Sequence, residues 1–165
     1  GDVELHNFYV PAGGDIPDPK LNVKFAHKLQ FLDEMRNWFE ARAKPQQAIM
    51  VGDLNVAPLE NDVWSHKQLL KIVSHTPIEV EKLTAVQDAG GWVDGVRHFT
   101  PATEKLFSWW SYRSPDWTKN DRGRRLDHIW VSPAMRKRLK AAKILRDARA
   151  WTQPGDHVPV LVDLD

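Results

Sequence analysis

Residues 48–58 read AIMVGDLNVAP, an apolar run set directly against a carboxylate and an amide. Ala48 to Val51 is short, continuous and bounded by turn residues, the pattern of a strand buried on both faces. Asp53 and Asn55 fall at its carboxyl end, where open α/β sheets place their ligands. Their i, i+2 spacing puts both polar groups on one face of an extended chain. A local reading competes with a functional one: Asp53 can cap a turn, and Asn55 can take the left-handed conformation that asparagine tolerates. In both readings a buried strand needs neighbours.

Upstream, DVELHNFYV alternates like a strand and stops at Pro11 and the loop AGGDIPDP. From Asn22 onward Val23, Ala26, Leu29, Leu32, Met35, Trp38 and Phe39 recur at three- and four-residue spacing, predicting an amphipathic helix that ends near Lys44-Pro45. Downstream, residues 62–75 carry scattered apolar positions that fit a helix or helical turn. Thr76, Pro77 and Glu79 form a helix start with capping-box spacing, and Gly90-Gly91 a stop. WVDGVRHF reads as a short element, FSWWSYRS and RLDHIWVS as strands, MRKRLKAAKIL as a basic helix, and Pro159 to Leu164 as a final strand. Strands and helices alternate throughout, so the class is α/β or α+β with mixed sheets, with no internal repeat or linker.

The chain has 165 residues, 42% hydrophobic and 27% charged, an ordinary composition for one folded domain with a real core. Its formal net charge is +1, so any polyanion must be met by local patches rather than a global field. No cysteine is present, which excludes disulfides, thiolate catalysis and cysteine-based zinc sites. No apolar run approaches the roughly 20 residues of a membrane span. No signal-like segment opens the chain. The expectation is a cytoplasmic protein with no membrane partner. The opening residues already alternate like a strand and lack an initiating methionine, as in a chain cut into.

Several residues are not explained by a core. Asp127 shares a strand face with Ile129 and Val131 in RLDHIWVS, and a buried carboxylate costs several kcal/mol unless a cation or donor meets it. Arg124, Arg125 and His128 could pair with it structurally; His157, from PGDHVPV at 154–160, could pair with it catalytically, since an Asp that orients an imidazole is a recurring device. FSWWSYRSPDW gathers Trp109, Trp110, Tyr112, Arg113 and Trp117, with KNDRGRR just downstream. Aromatics interleaved with arginine suit stacking on bases or sugars beside phosphates, although alternation sends some of these rings inward. His6, His27, His66, His75 and His98 show no metal-ligand spacing.

Taken in order, NFYVPAGG, GDLN, FSWWSYRS, RLDHIWVS and PGDHVPV resemble the exonuclease III type of AP endonuclease in the endonuclease/exonuclease/phosphatase superfamily. The resemblance runs over essentially the whole chain. It implies a four-layer α/β sandwich of two mixed sheets flanked by helices. It also implies a DNA phosphodiesterase of base-excision repair, cutting 5′ to abasic sites and trimming 3′ ends with Mg²⁺ or Mn²⁺, and hence a nucleoid-associated location. Matched motif by motif, Tyr9 would contact the scissile phosphate, Asp53 would orient or deprotonate the attacking water, and Asn55 would hold that water or a phosphate oxygen. Asp127 would pair with His157, which would stabilise charge on the phosphate. Asp156 would lie beside the metal. Trp109 would line the pocket for an extruded sugar with Trp110 supporting it, and Arg113 would reach the DNA, with Arg124 beside them. The partner is double-stranded DNA carrying abasic sites or 3′ ends.

Ala12 and Arg124 stand where relatives often carry a polar and an apolar or aromatic residue. The family also begins with a half-domain bearing an Asn and a metal-binding Glu that have no counterpart here. On this reading residues 1–165 are the C-terminal portion of one such domain, poorly active alone and prone to self-association or to pairing with the other half. A phosphatase acting on lipid or nucleotide phosphates and a non-catalytic DNA-binding module are the alternatives.

Overall fold

The computed structural model describes residues 2–44, 46–114 and 116–165. Its centre is a mixed sheet of four strands: β1 (Glu4–Asn7), β2 (Ala48–Asp53), β6 (Asp127–Val131) and β3 (Val93–Asp94), in the order β1-β2-β6-β3. β1 runs parallel to β2, and β6 lies antiparallel to both β2 and β3. A parallel pair needs a crossover, supplied by helix α1 (Val23–Ala41). Asn22 caps α1 by accepting the Lys24 N–H. The predicted end near Lys44-Pro45 comes earlier, because Arg42 is already extended; Pro45 lies outside the described residues.

β2 alternates buried and half-buried residues instead of being buried on both faces. Met50 and Trp130 project from β2 and β6 into the main core, where Leu32, Met35 and Phe39 of α1 and Leu83 and Val86 of α3 (Pro77–Gly90) cover them. The α3 capping box forms as its sequence requires: Thr76 and Glu79 bond each other reciprocally, and Gly91 closes the helix at φ 66°. The opposite face carries Ile49, Val93 and Val131, covered by Leu139, Val162 and Leu164.

Those last residues belong to β7 (Leu139–Ile144) and β8 (Val160–Leu164), an antiparallel pair. The basic helix expected over MRKRLKAAKIL does not form: Pro133–Arg138 is a short 3₁₀ turn, and the remainder is β7. β8 offers a ladder of main-chain partners, and pairing outweighs the local helix propensity of Lys and Ala. Residues 62–75 likewise condense to the single turn α2 (His66–Leu69). The aromatic segment contributes only two strand residues, β4 (Trp109–Trp110), which pair with β5 (Gly123–Arg124) across a loop holding the turn α4 (Trp117–Asn120). Among the described residues no helix is long and apolar enough to cross a membrane.

Candidate active site

The register of β2 on β6 sets Asp53 directly opposite Asp127. Residues opposite each other in an antiparallel pair share a face, so two carboxylates meet at one end of the sheet. The third group arrives from the C-terminal segment, which runs along the aromatic strand. Trp110 N–H donates to Asp156 O at 2.9 Å, Val158 N–H donates to Ser108 O at 2.9 Å, and Trp109 and His157 form a bridge. His157 Nδ1 thereby reaches Asp127 Oδ2 at 2.8 Å, and Nε2 stands 3.8 Å from Asp53 Oδ2. Arg125, a competing partner for Asp127 on sequence grounds, bonds Asp62 and Asp94 instead.

Asp156 and His157 diverge as neighbouring extended residues must: Trp109 Nε1–H donates to Asp156 Oδ2 at 3.0 Å while His157 faces Asp127. Asp53, Asp127 and His157 each place a ligand atom within 4.8 Å of the others. Asp156, expected beside a metal, lies outside that group.

Both local readings of GDLN hold. Asn55 is left-handed, φ 52°, and its N–H donates to Asp53 Oδ1 at 3.0 Å. Its Nδ2 donates to Val10 O at 2.8 Å and to Asp53 Oδ2 at 3.1 Å. Gly52 permits the approach of the chain that follows β1: a Cβ there would stand 1.9 Å from Phe8 O. Val10 N–H then donates to Asp53 O at 3.0 Å, which leaves Tyr9 exposed over the site while Val10 is buried.

Electrostatics follow from this crowding. Burial and the facing charge of Asp127 push the Asp53 carboxyl up to about 6, where a general base works near neutrality. Burial disfavours the charged His157 ring, but the Asp127 hydrogen bond and the carboxylates of Asp127, Asp53 and Asp156 outweigh it and hold the imidazole above its ordinary value. Ser108, which sequence reasoning passed over, is fully buried. Its hydroxyl donates to Asp127 Oδ2 at 2.7 Å and accepts the Leu126 and Asp127 N–H groups. A serine inside an aromatic run carries no sequence signal of that role.

Asp53, Asn55, Asp156 and His157 line a cleft of about 870 Å³ together with Tyr9, Trp64, Trp109, Arg113, Arg122 and Arg124. Arg113 is exposed. Arg124 Nη1 donates to Val73 O and Ser74 Oγ, and its guanidinium lies 5.3 Å from the Trp109 ring centre. Trp110 corrects the expectation of DNA contact: it is 1% exposed, packs with Phe107 and Trp117, and donates Nε1–H to Asp121. It faces inward because the strand alternates, so it supports Trp109 from beneath.

A family model described as the Endonuclease/Exonuclease/phosphatase family matches residues 3–157. Exodeoxyribonuclease III of Haemophilus influenzae is 31% identical over 167 residues, covering 97% of this chain and 61% of the relative. An AP endonuclease from Archaeoglobus fulgidus superposes with a TM-score of 0.90 at 26% identity, covering 99% of this chain and 62% of that one. A 3′-5′ exonuclease from Neisseria meningitidis gives 0.86 at 26% identity, covering 98% and 60%. The chain thus spans 60% to 62% of the length of these relatives.

Proposed function

Because the chain belongs to the endonuclease/exonuclease/phosphatase family, we propose that it carries the hydrolytic centre of a metal-dependent DNA phosphodiesterase, cleaving 5′ to abasic sites and trimming 3′ ends. The observation that carries this reading is the His157 ring held between Asp127 at 2.8 Å and Asp53 at 3.8 Å in a cleft walled by tryptophan and arginine. The relatives point the same way: they are an exodeoxyribonuclease III, an AP endonuclease and a 3′-5′ exonuclease.

The chemistry proposed is in-line hydrolysis. Asp53 orients water and takes its proton as the water oxygen bonds to phosphorus and the bond to the 3′-oxygen breaks. His157, oriented by Asp127 and biased by it towards the charged form, faces the phosphate oxygens on which negative charge builds. Asn55 and Tyr9 hold the phosphate in line, and Trp109 walls the space beside it. The donor set fits a hard divalent cation: the Asp53 and Asp127 carboxylates repel each other across the sheet end, and Mg²⁺ or Mn²⁺ is commonly held by one or two carboxylates with water and substrate oxygens. Such an ion, held by Asp53 and Asp127, would supply neutralisation of phosphate charge. Asp156 would lie at its margin. A cytoplasmic, nucleoid-associated location belongs to the same proposal.

Incision of an abasic duplex in Mg²⁺, run on the 165-residue chain and on the whole product of its reading frame, tests this reading. Cleavage 5′ to the lesion by the whole product, abolished by EDTA and weak for the 165 residues alone, is the expected result. Intact duplex after incubation with the whole product would overturn it.

A further inference from the structure

Lys28 is fully buried in the middle of α1, and no step above uses it. Its Nζ donates to Asn55 O at 2.8 Å and to Ala12 O at 3.3 Å, and it pairs with Glu79. The Glu79 carboxylate in turn collects the Ser74 N–H, the Thr76 N–H and the Thr76 hydroxyl. A buried ion pair is an inefficient source of stability, since apolar residues of the same volume often serve as well. Burial pushes the ammonium below its ordinary value and Glu79 works against that shift, so the charge is kept at a cost.

The placement of its contacts shows what the charge does. Ala12 lies in the loop that leaves β1 and presents Tyr9; Asn55 closes the turn that leaves β2 and presents Asp53. Lys28 is a single donor shared by the two segments. It fixes the direction of the carbonyl of a left-handed asparagine, φ 52°, whose side chain already holds Val10 O and Asp53 Oδ2. The loop rests on the lysine stem: a Cβ at Gly13 would stand 2.9 Å from Lys28 Cδ. A methionine would fill the same volume but could not hold either carbonyl.

We propose that Lys28 is a positioning residue, locking the Tyr9 loop to the Asp53–Asn55 turn so that both approach one phosphate in register; this rests on the phosphodiesterase reading above. The test compares Lys28→Arg, Lys28→Met and the pair Lys28→Met with Glu79→Gln, the last leaving no unpaired buried charge. In the whole product of the reading frame, the double variant is expected to keep its melting temperature within a few degrees and its KM within about threefold. Its kcat for abasic incision should fall about tenfold to a hundredfold, the scale of an ångström-sized misplacement. Lys28→Arg should recover part of that loss. A folded double variant with unchanged kcat overturns the proposal. Where no incision is seen even for the unaltered protein, the phosphodiesterase reading fails and the locking is read by NMR. The Asn55 side-chain amide protons should then lose slow solvent exchange in the double variant, and retention of slow exchange overturns the proposal.

Discussion

At the scale of single residues, the site is built from groups held in states they would not choose alone. Asp53 is the plainest case: burial and Asp127 raise its carboxyl to about 6, against about 4 for a free side chain. The sign is fixed by linkage. A carboxyl whose folded value lies above its unfolded one costs stability once pH exceeds the unfolded value, and the cost is complete above the folded value. Asp53→Asn, measured in EDTA at pH 8, should therefore raise unfolding free energy by up to about 3 kcal/mol, less what solvent screens, while lowering incision by at least about a hundredfold. Equal stability of the two proteins would contradict the assigned crowding. Ser108→Ala removes one donor to Asp127 and the acceptor of two main-chain N–H groups. It should cost about 1–3 kcal/mol in chemical denaturation and slow incision about tenfold. Sequence reading singled out Asp53 and Asn55 from their place at the carboxyl end of an apolar strand and Asp127 as a carboxylate that demands a partner, with His157 one candidate beside Arg124, Arg125 and His128. It missed Ser108 and Lys28 because each acts on main-chain groups, which leave no pattern in side-chain types.

At the scale of elements, pairing decides what local propensity leaves open. Capping signals gave α3 its start and stop at Thr76 and Gly91, since these are contacts within a few residues. The segment 135–145, expected as a helix, is turn and strand, because its ladder partner lies some twenty residues on and is invisible to periodicity. Gly52 is a point of close approach between β2 and the chain that follows β1. A Cβ there collides with Phe8 O, so Gly52→Ala should separate β1 from β2 and cost about 3 kcal/mol or more, readable as a fall in melting temperature. β6 carries a second pH-dependent group. His128 is buried, its Nε2 paired with Val56 O, and burial together with Arg125 pushes it down to about 4. A histidine depressed on folding contributes stability that is whole above its unfolded value near 6.5 and is lost as pH falls towards 4. Asp53 acts in the opposite sense between about 4 and 6, so the acid loss should be steeper in Asp53→Asn than in the unaltered protein, measured by denaturant midpoints across pH 4–8.

At the scale of the whole molecule, the net charge of +1 conceals a local segregation of charge. Arginines and aromatic rings line one cleft, while Asp62 and Asp94 neutralise Arg125 behind it. A DNA enzyme should need that wall. Trp109→Ala or Arg113→Ala should weaken duplex binding severalfold, with binding that falls as salt rises, whereas a phosphatase acting on small phosphates would keep its activity. The sheet order leaves β1 at an edge with Leu5 65% exposed, and unpaired edges invite association. Sedimentation of the 165-residue chain at high concentration should show species above monomer mass. The mixed sheet and its helix layer were legible from apolar runs and caps. The meeting of five distant residues became legible only through the order of the motifs, since no spacing along a chain encodes a register between strands.

On the proposed mechanism Asp53 and His157 act as one unit on a single phosphate, which incision rates for Asp53→Asn, His157→Ala and the two combined would reveal. The double variant should be about as slow as the slower single variant, as groups serving one step behave. Losses that multiply in full would contradict it.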